Sequence, residues 1–305
     1  MGNRMNISAC RLCGAASLIA VISALSTAQA YAVDLNSLDL VPAPAGTDAI
    51  LSYSTFTARQ SYTPNGGSAI EDGTKLNSLV GIFRYVHYMD VGGFTVAPQV
   101  LLPYGGLFDA SLGGTPLESA TGIGDPIFAA PVWLLNNKPT GTNFVVVPNL
   151  FVPLGSYDAG EPLNLGENRW KFDLQIGGTQ DLGHGFTLQA SADVMWYGDN
   201  SDARGRGEGR LEQDNTYQAQ IWLSYTPPTD KSWNFAVGYS KFWGGVQSLD
   251  GVENGTATKA DQIRLEVSKF LKPDFQVQGL VQRDLAAEGG FKEDLRATVR
   301  FMKVF

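Results

Sequence analysis

The sequence has little of what most enzymes and helical membrane proteins need. It holds two cysteines and two histidines among 305 residues, and its formal net charge is −8. A negative chain disfavours nucleic acid as a partner, because the phosphate backbone binds basic surfaces. After residue 30 the sequence has no apolar run of the about 20 residues that a transmembrane helix requires. A mean hydropathy of −0.07 also argues against a bundle of membrane helices.

The first 30 residues are typical of a secretory signal peptide. Arg4 and Arg11 precede a short apolar run at 14–25, and Ala28-Gln29-Ala30 forms a small-x-small cleavage sequence. Cleavage after Ala32 is an alternative. Both cysteines, Cys10 and Cys13, lie inside this segment, so their C-x-x-C spacing predicts neither a redox pair nor a metal site in the mature chain. Residues 1–30 contain two Arg and no acidic residue, so we expect the exported chain to carry −10.

The rest of the chain alternates between polar and apolar residues. In the last segment Leu295, Val299 and Phe301 fall on one face of a strand and Arg296 and Arg300 on the other. This alternation, closed by a terminal Phe305, is typical of a bacterial outer-membrane β-barrel, whose strands have one face in lipid and one in a polar lumen. Twelve such segments are predicted, at 48–60, 76–89, 93–103, 122–135, 142–153, 169–181, 185–197, 215–227, 232–243, 261–271, 274–285 and 293–305.

The lengths of the connections indicate the orientation of the barrel. Bacterial barrels join strands by short periplasmic turns and longer external loops. The odd connections are long and Gly-rich, at 61–75, 104–121, 154–168, 198–214 and 244–260, with only the last, near 286–292, short. We therefore predict an all-β, antiparallel, up-and-down barrel over 47–305 that contacts the lipid bilayer and lipopolysaccharide and engages the outer-membrane insertion machinery through Phe305. A soluble β-sandwich is the alternative, and it would not need this rhythm.

Segments six to twelve direct polar and charged residues toward the predicted lumen. The charged candidates are Arg169, Lys171, Asp173, Asp193, Arg264, Glu266, Asp284, Arg296 and Arg300. Because both signs are present, cross-strand pairing is expected. Two interpretations stay open for these residues: an ion-paired network that fills a narrow interior, or a polar track for a solute.

Segments four and five, in contrast, are apolar on both faces and rich in proline. The candidates for an apolar wall or a lateral opening are Phe128, Pro131, Trp133, Val146, Pro148 and Phe151. Proline removes a ladder donor and marks an edge, a bulge or a kink in a paired strand. Adjacent kinked strands could open a gap toward the bilayer, or the prolines could produce local curvature alone.

A lead at 31–46 precedes the first strand. Leu35, Leu38, Leu40 and Val41 are followed by Pro42-Ala43-Pro44. The lead could enter the barrel mouth as a plug, or it could be a disordered periplasmic segment.

Three motifs in the middle of the chain carry a family resemblance. They are Gly122-Ile123-Gly124-Asp125-Pro126, then Pro153-Leu154-Gly155-Ser156-Tyr157, then Leu165-Gly166-Glu167-Asn168-Arg169-Trp170. In this order they resemble the phenol meta-pathway degradation family of outer-membrane β-barrel transporters. The resemblance implies uptake of aromatic or other hydrophobic compounds rather than catalysis, and it supplies no site residues.

These observations favour a passive channel for small hydrophobic or aromatic solutes. The alternative is a structural or adhesive barrel with a closed lumen. An outer-membrane hydrolase is less favoured, since a serine nucleophile needs a histidine base and the two histidines, His87 and His184, both map near the periplasmic end. We predict no catalytic residue, metal site or cofactor.

Overall fold

The computed structural model describes residues 34–305. The predicted signal peptide, with Cys10 and Cys13, lies outside the described residues, as do residues 31–33 of the lead. Within the described part, no helix is long and apolar enough to cross a membrane.

The described chain is built from antiparallel strands. They are β1 (Asp48–Thr63), β2 (Lys75–His87), β3 (Met89–Val91), β4 (Phe94–Val96), β5 (Gln99–Leu112), β6 (Thr115–Pro116), β7 (Ala120–Ile123), β8 (Ile127–Ala129), β9 (Val132–Asn137), β10 (Thr142–Phe151), β11 (Lys171–Gly183), β12 (Phe186–Tyr197), β13 (Leu211–Gln213), β14 (Thr216–Tyr225), β15 (Trp233–Gly244), β16 (Gln247–Leu249), β17 (Val252–Glu253), β18 (Thr258–Lys272), β19 (Phe275–Glu288) and β20 (Gly290–Val304).

Sixteen of these strands form a closed barrel. They cross its wall twelve times, and we call each crossing a stave; β2–β3, β4–β5 and β7–β8–β9 each form one interrupted stave. Each stave pairs antiparallel with the next, and the last closes on the first, from Ala49 opposite Val304 to Thr63 opposite Gly290. The predicted twelve-stranded up-and-down barrel is therefore confirmed.

The predicted segments differ from the structure in their bounds, the third most of all. The third stave continues through β5 to Leu112, so most of the long connection predicted at 104–121 is in fact strand. The third and fourth staves are each interrupted close to a proline, Pro98 and Pro131, because proline cannot donate to the ladder. The sixth begins at Lys171 rather than Arg169, which lies in the preceding loop.

The long loops carry the remaining strands at one end of the barrel. Strands β13, β16 and β17 form a small separate sheet, and β6 forms a hairpin with the end of β5. Since bacterial barrels carry their long loops outside the cell, this end is extracellular.

The two faces of the wall alternate in burial as a lipid-facing barrel requires. Along β11, Lys171, Asp173 and Gln175 are buried, whereas Phe172 and Ile176 are exposed. Exposed aromatic rings stack in pairs near both ends of the staves: Phe172 with Trp196, Tyr217 with Trp243, and Trp233 with Phe235. Such girdles lie at the two membrane interfaces.

Trp222 is one of the aromatic residues that do not face the membrane. Its side chain is 1 % exposed and faces the lumen, as the alternation of β14 predicts.

Candidate functional site

The charged residues predicted for the lumen point into the barrel. Eight of the nine are buried, and Arg296 is half-buried. Arg264 and Arg296 approach Asp34, at 2.7 and 3.2 Å, and Arg296 also binds Glu293 at 2.6 Å. The polar half of the lumen is therefore cross-linked rather than open.

Three buried carboxylates on this half accept hydrogen bonds from amides rather than from cations. Asn149 donates to Asp173 at 2.8 Å, and Gln175 donates to Asp193 at 3.3 Å. Asp284 accepts from Gln262 at 2.7 Å and from the backbone N–H of Glu293, also at 2.7 Å. Buried polar groups of this kind are stable only when they are hydrogen-bonded.

A compact ionic cluster lies at the extracellular mouth. Glu167, in the loop before β11, accepts from Arg169 at 2.7 Å and also pairs with Lys171. Both cations cover aromatic rings, Arg169 over Tyr197 at 4.7 Å and Lys171 over Phe151 at 4.5 Å. Burial alone would raise the pKa of Glu167, but Lys171 and Arg169 outweigh it and lower the pKa to about 2. Glu167 is thus anionic at any physiological pH.

The three sequence motifs meet beside this cluster. Asp125 accepts from the backbone N–H groups of Gly155 and Glu167, both at 3.0 Å, and so joins one motif to the other two. The hydroxyl of Ser156 accepts from the N–H of Ile123 at 3.1 Å.

The glycines of these motifs permit a close approach of the chain. A Cβ on Gly155 would lie 2.7 Å from the Cα of Gly166, and a Cβ on Gly122 would lie 2.1 Å from the Oγ of Ser156. The loop 154–168 is therefore tied by its backbone to the fourth stave, and it closes over one side of the mouth.

Residues 34–41 of the lead lie inside the barrel against its polar half. Asp39 binds Arg300 at 2.8 Å, and the backbone N–H of Ser37 donates to Glu266 at 3.1 Å. The indole N–H of Trp222 donates to the carbonyl of Leu35 at 3.1 Å.

The same segment also contacts the apolar half. The indole N–H of Trp133 donates to the carbonyl of Leu40 at 2.9 Å, and the Leu40 side chain packs in a buried cluster with Val145 and Val147. The lead thus bridges the two halves of the lumen.

The six candidates for an apolar wall divide between its two faces. Phe128, Val146 and Pro148 face outward, and Phe128 is 50 % exposed. Trp133 and Phe151 are buried on the inner side. Pro131 lies at the break between β8 and β9 and lines a lumenal cavity.

Prolines form two rows across the third, fourth and fifth staves. In the first row Pro98, Pro131 and Pro148 lie side by side, because Val132 is the register partner of both Val96 and Val146. In the second row Pro103, Pro126 and Pro153 lie side by side, because Ile127 is the register partner of both Leu101 and Phe151.

The prolines make the hydrogen bonding between these staves one-sided. Ala97 donates to the carbonyl of Pro131 at 2.9 Å, and Ala130 donates to that of Pro148 at 3.2 Å. Proline has no N–H with which to return a bond, so each of these two residue pairs keeps one of its two usual hydrogen bonds. The wall is continuous here, but fewer hydrogen bonds hold it than elsewhere.

Sequence analysis missed the inward polar residues of the first two staves. Arg59 binds Glu293 at 2.9 Å, and Arg84 donates to Gln99 at 2.7 Å. Arg84 stands between the exposed Phe83 and Tyr85, so the alternation that placed the other candidates also marks it.

Comparison with protein families gives one match. A family model described as "Putative MetA-pathway of phenol degradation" matches residues 58–301. The chain belongs to this family.

Solved structures agree with the assignment. The chain is 32 % identical to the COG4313 outer membrane channel from Pseudomonas putida F1, over 89 % of this chain and 100 % of that one, with a TM-score of 0.83. The β domain of the Bordetella autotransporter BrkA shares the barrel fold alone, at 9 % identity over 84 % of this chain and 98 % of that one, with a TM-score of 0.53. Comparison with curated proteins gives no match.

Members of the family are channels rather than enzymes, and the protein is an outer-membrane channel. The predicted location in the outer membrane of a Gram-negative bacterium is thereby confirmed. The resemblance carried by the three motifs is confirmed as well.

Proposed function

We propose that this channel admits small hydrophobic molecules, aromatic ones among them, by passive movement down their concentration gradient. The observation that carries the proposal is the contrast within the lumen. The polar half is cross-linked by buried ion pairs, whereas the third to fifth staves offer an apolar inner surface around Leu40, Trp133 and Val147. An apolar solute gains by leaving water for such a surface.

The lead acts as a plug in this proposal. Residues 34–41 occupy the boundary between the two halves, so they must shift before a solute passes. Their contacts with the polar half are ion pairs and hydrogen bonds, whereas on the apolar half the Leu40 side chain packs in the apolar cluster, so an apolar solute competes with the lead directly for the apolar side.

The exit is lateral, between the proline-marked staves. A hydrophobic molecule that leaves through the wall enters the bilayer without crossing water, and the one-sided hydrogen bonds beside Pro131 and Pro148 lower the cost of parting the strands there. The outward residues at this place, Phe128 and Val146, are apolar and lie against lipid.

Two further partners are part of the proposal. Lys241 and Lys259 face outward near the extracellular ends of their strands, with side chains 56 % and 60 % exposed, where lipopolysaccharide phosphates lie. The ring of Phe305 is exposed at the periplasmic end of the last strand, where the outer-membrane insertion machinery would bind it.

Entry into cells tests this function. Intact lipopolysaccharide excludes the apolar dye N-phenyl-1-naphthylamine, which fluoresces in membranes, so dye entry can be followed in a host that expresses the channel. We expect faster dye entry than in cells without it, a further increase when residues 31–46 are deleted, and little passage of sucrose. If neither dye nor sucrose enters, with or without the lead, the transport proposal fails and a barrel with a closed lumen is supported.

A further inference from the structure

A small cavity lies between the lead and the second to fifth staves. Its volume is about 50 Å³, and its lining includes Leu40, Arg84, Gln99, Trp133 and Val147. The cavity is too small for a benzene ring while the lead is in place. The wall of the cavity nevertheless has an apolar part and a cationic part, and the lead adds the carboxylates of Asp34 and Asp39.

The apolar part surrounds the side chain of Leu40. This residue is 2 % exposed and belongs to a cluster with Val86, Ala97 and Trp133. The rings of Trp133 and Tyr88 lie beside each other, with centroids 5.9 Å apart. If Leu40 withdraws, it leaves a pocket with aromatic and aliphatic walls.

The cationic part consists of Arg84, which lines the cavity, and Arg300, which binds Asp39 of the lining; both contact Tyr53. Arg84 donates to the Tyr53 hydroxyl at 3.2 Å and to Gln99, and the Arg300 guanidinium lies 5.9 Å from the Tyr53 ring centroid. Among residues 34–305, no carboxylate forms an ion pair with Arg84. The carboxylate that acts on Arg84 electrostatically is that of Asp39, which is bound to Arg300. A largely buried cation is costly without such an anion, so an anion is favoured at this place.

The lead already supplies such an anion. Asp39 places its carboxylate on Arg300 at 2.8 Å, while the next residue, Leu40, fills the apolar part. The only charged residues between 34 and 46 are Asp34 and Asp39. The space is therefore filled by a carboxylate, that of Asp39, and by the apolar side chain of the adjacent residue, Leu40.

We propose that the space held by Asp39 and Leu40 is a binding site for small carboxylic acids with an apolar body, such as an aromatic acid. When the lead withdraws, the carboxylate of the solute binds between Arg84 and Arg300 and its body takes the place of Leu40. Glu266 also faces this region, through its bond with the N–H of Ser37, so the three charged groups of the wall sum to one positive charge. This inference rests on the proposed uptake function and names its solute class.

Calorimetric titration with benzoate and benzamide tests the site, because the two molecules have nearly the same shape and differ in charge. The full mature chain is placed in nanodiscs of zwitterionic lipid. We expect benzoate to bind about tenfold more tightly than benzamide, the difference that charge-assisted hydrogen bonds give. Arg84→Gln should remove the preference and Arg84→Lys should restore part of it. Asp39→Asn, which loosens the lead, should tighten benzoate binding several-fold.

Arg283→Gln is the matched control, since Arg283 is exposed on the outer face of β19. It should leave both affinities unchanged, and a heat-dependent shift in electrophoretic mobility should show that each variant is a folded barrel. Equal binding of benzoate and benzamide, or a benzoate preference that survives Arg84→Gln, would overturn the site. The proposed function is judged separately, because entry of the neutral dye should be the same for Arg84→Gln as for the parent chain.

Discussion

The two sides of the barrel wall are held together by different interactions. From β11 to β20 the strands pair without interruption by proline, and buried charges and amides join them across the lumen. From β4 to β10 two rows of proline interrupt the ladders, and the inner surface has an apolar cluster around Trp133, Val145 and Val147. The first side is therefore stiff and polar, and the second is weakly paired and suits an apolar solute.

This difference shows how a narrow barrel can be both stable and permeable. An interior between that of a filled eight-stranded barrel and that of an open porin has little room for a central pore. If the polar side supplies the stability, the apolar side is free to keep fewer hydrogen bonds. Substitutions on the polar side, at the junction between the sides and on the apolar side should separate these roles.

The largest effect is expected on the polar side at Glu167. Glu167→Ala leaves Arg169 and Lys171 buried without their shared counterion, and breaking a buried pair in this way costs about 3–5 kcal/mol. Urea unfolding in micelles should show this loss in the free energy of unfolding. Glu288→Ala, which removes only an exposed partner of Lys259, should cost less than about 1 kcal/mol. Equal losses for the two variants would contradict the role given to the cluster.

A smaller effect is expected where the motifs join the two sides. In Gly155→Ala the new Cβ would lie 2.7 Å from the Cα of Gly166 and 2.8 Å from the backbone nitrogen of Asp125, so the loop must shift, at a cost of about 1–3 kcal/mol. Limited proteolysis should cut the loop 154–168 faster than in the parent chain. Gly279→Ala is the control, because its Cβ meets no atom within 4 Å. A loop that is cut no faster in Gly155→Ala would show that the motifs do not hold it.

The pH dependence of the mouth cluster should be confined to acid. The pKa of Glu167 is lowered from 4.5 to about 2, so its contribution to stability is complete above pH 4.5 and is lost as the pH falls toward 2. Unfolding measured between those values should become easier with acid, and Glu167→Gln should flatten that slope. A slope that is the same in both proteins would assign the acid sensitivity to other groups.

The smallest effect on stability, but a change in transport, is expected on the apolar side. Pro148→Val adds an N–H that can return the bond from Ala130, which should stiffen the wall and slow dye entry a few-fold. Pro273→Ala, in the turn between β18 and β19, serves as the control and should not slow the dye. Unchanged entry in Pro148→Val would argue that solutes do not pass this part of the wall.

The sequence predicts the staves well because their signal is local. Alternation alone places Lys171, Asp173 and Arg300 on the inner face, and the lengths of the connections give the orientation. Alternation also marks Arg84, because it stands between the outward-facing Phe83 and Tyr85.

Contacts between distant segments could not be predicted in the same way. Nothing near Asp34 or Asp39 in the sequence indicates that their partners are Arg264 and Arg300, and nothing near Asp125 indicates that it holds Gly155 and Glu167. The break at Pro131 could be expected from proline chemistry. Its alignment with Pro98 and Pro148 depends on the register between strands, which the sequence alone does not fix.

The central claim is that hydrophobic solutes leave through the proline-marked wall, and reversible cross-links test it most directly. Val132 and Val146 are register partners beside Pro131 and face outward, as Ile221 and Tyr239 do on the polar side. With both native cysteines inside the predicted signal peptide, a pair of cysteines at either place should give one defined disulfide. We predict that the 132–146 disulfide stops entry of N-phenyl-1-naphthylamine until it is reduced and that the 221–239 disulfide does not. Undiminished dye entry with the 132–146 disulfide closed would contradict the lateral route.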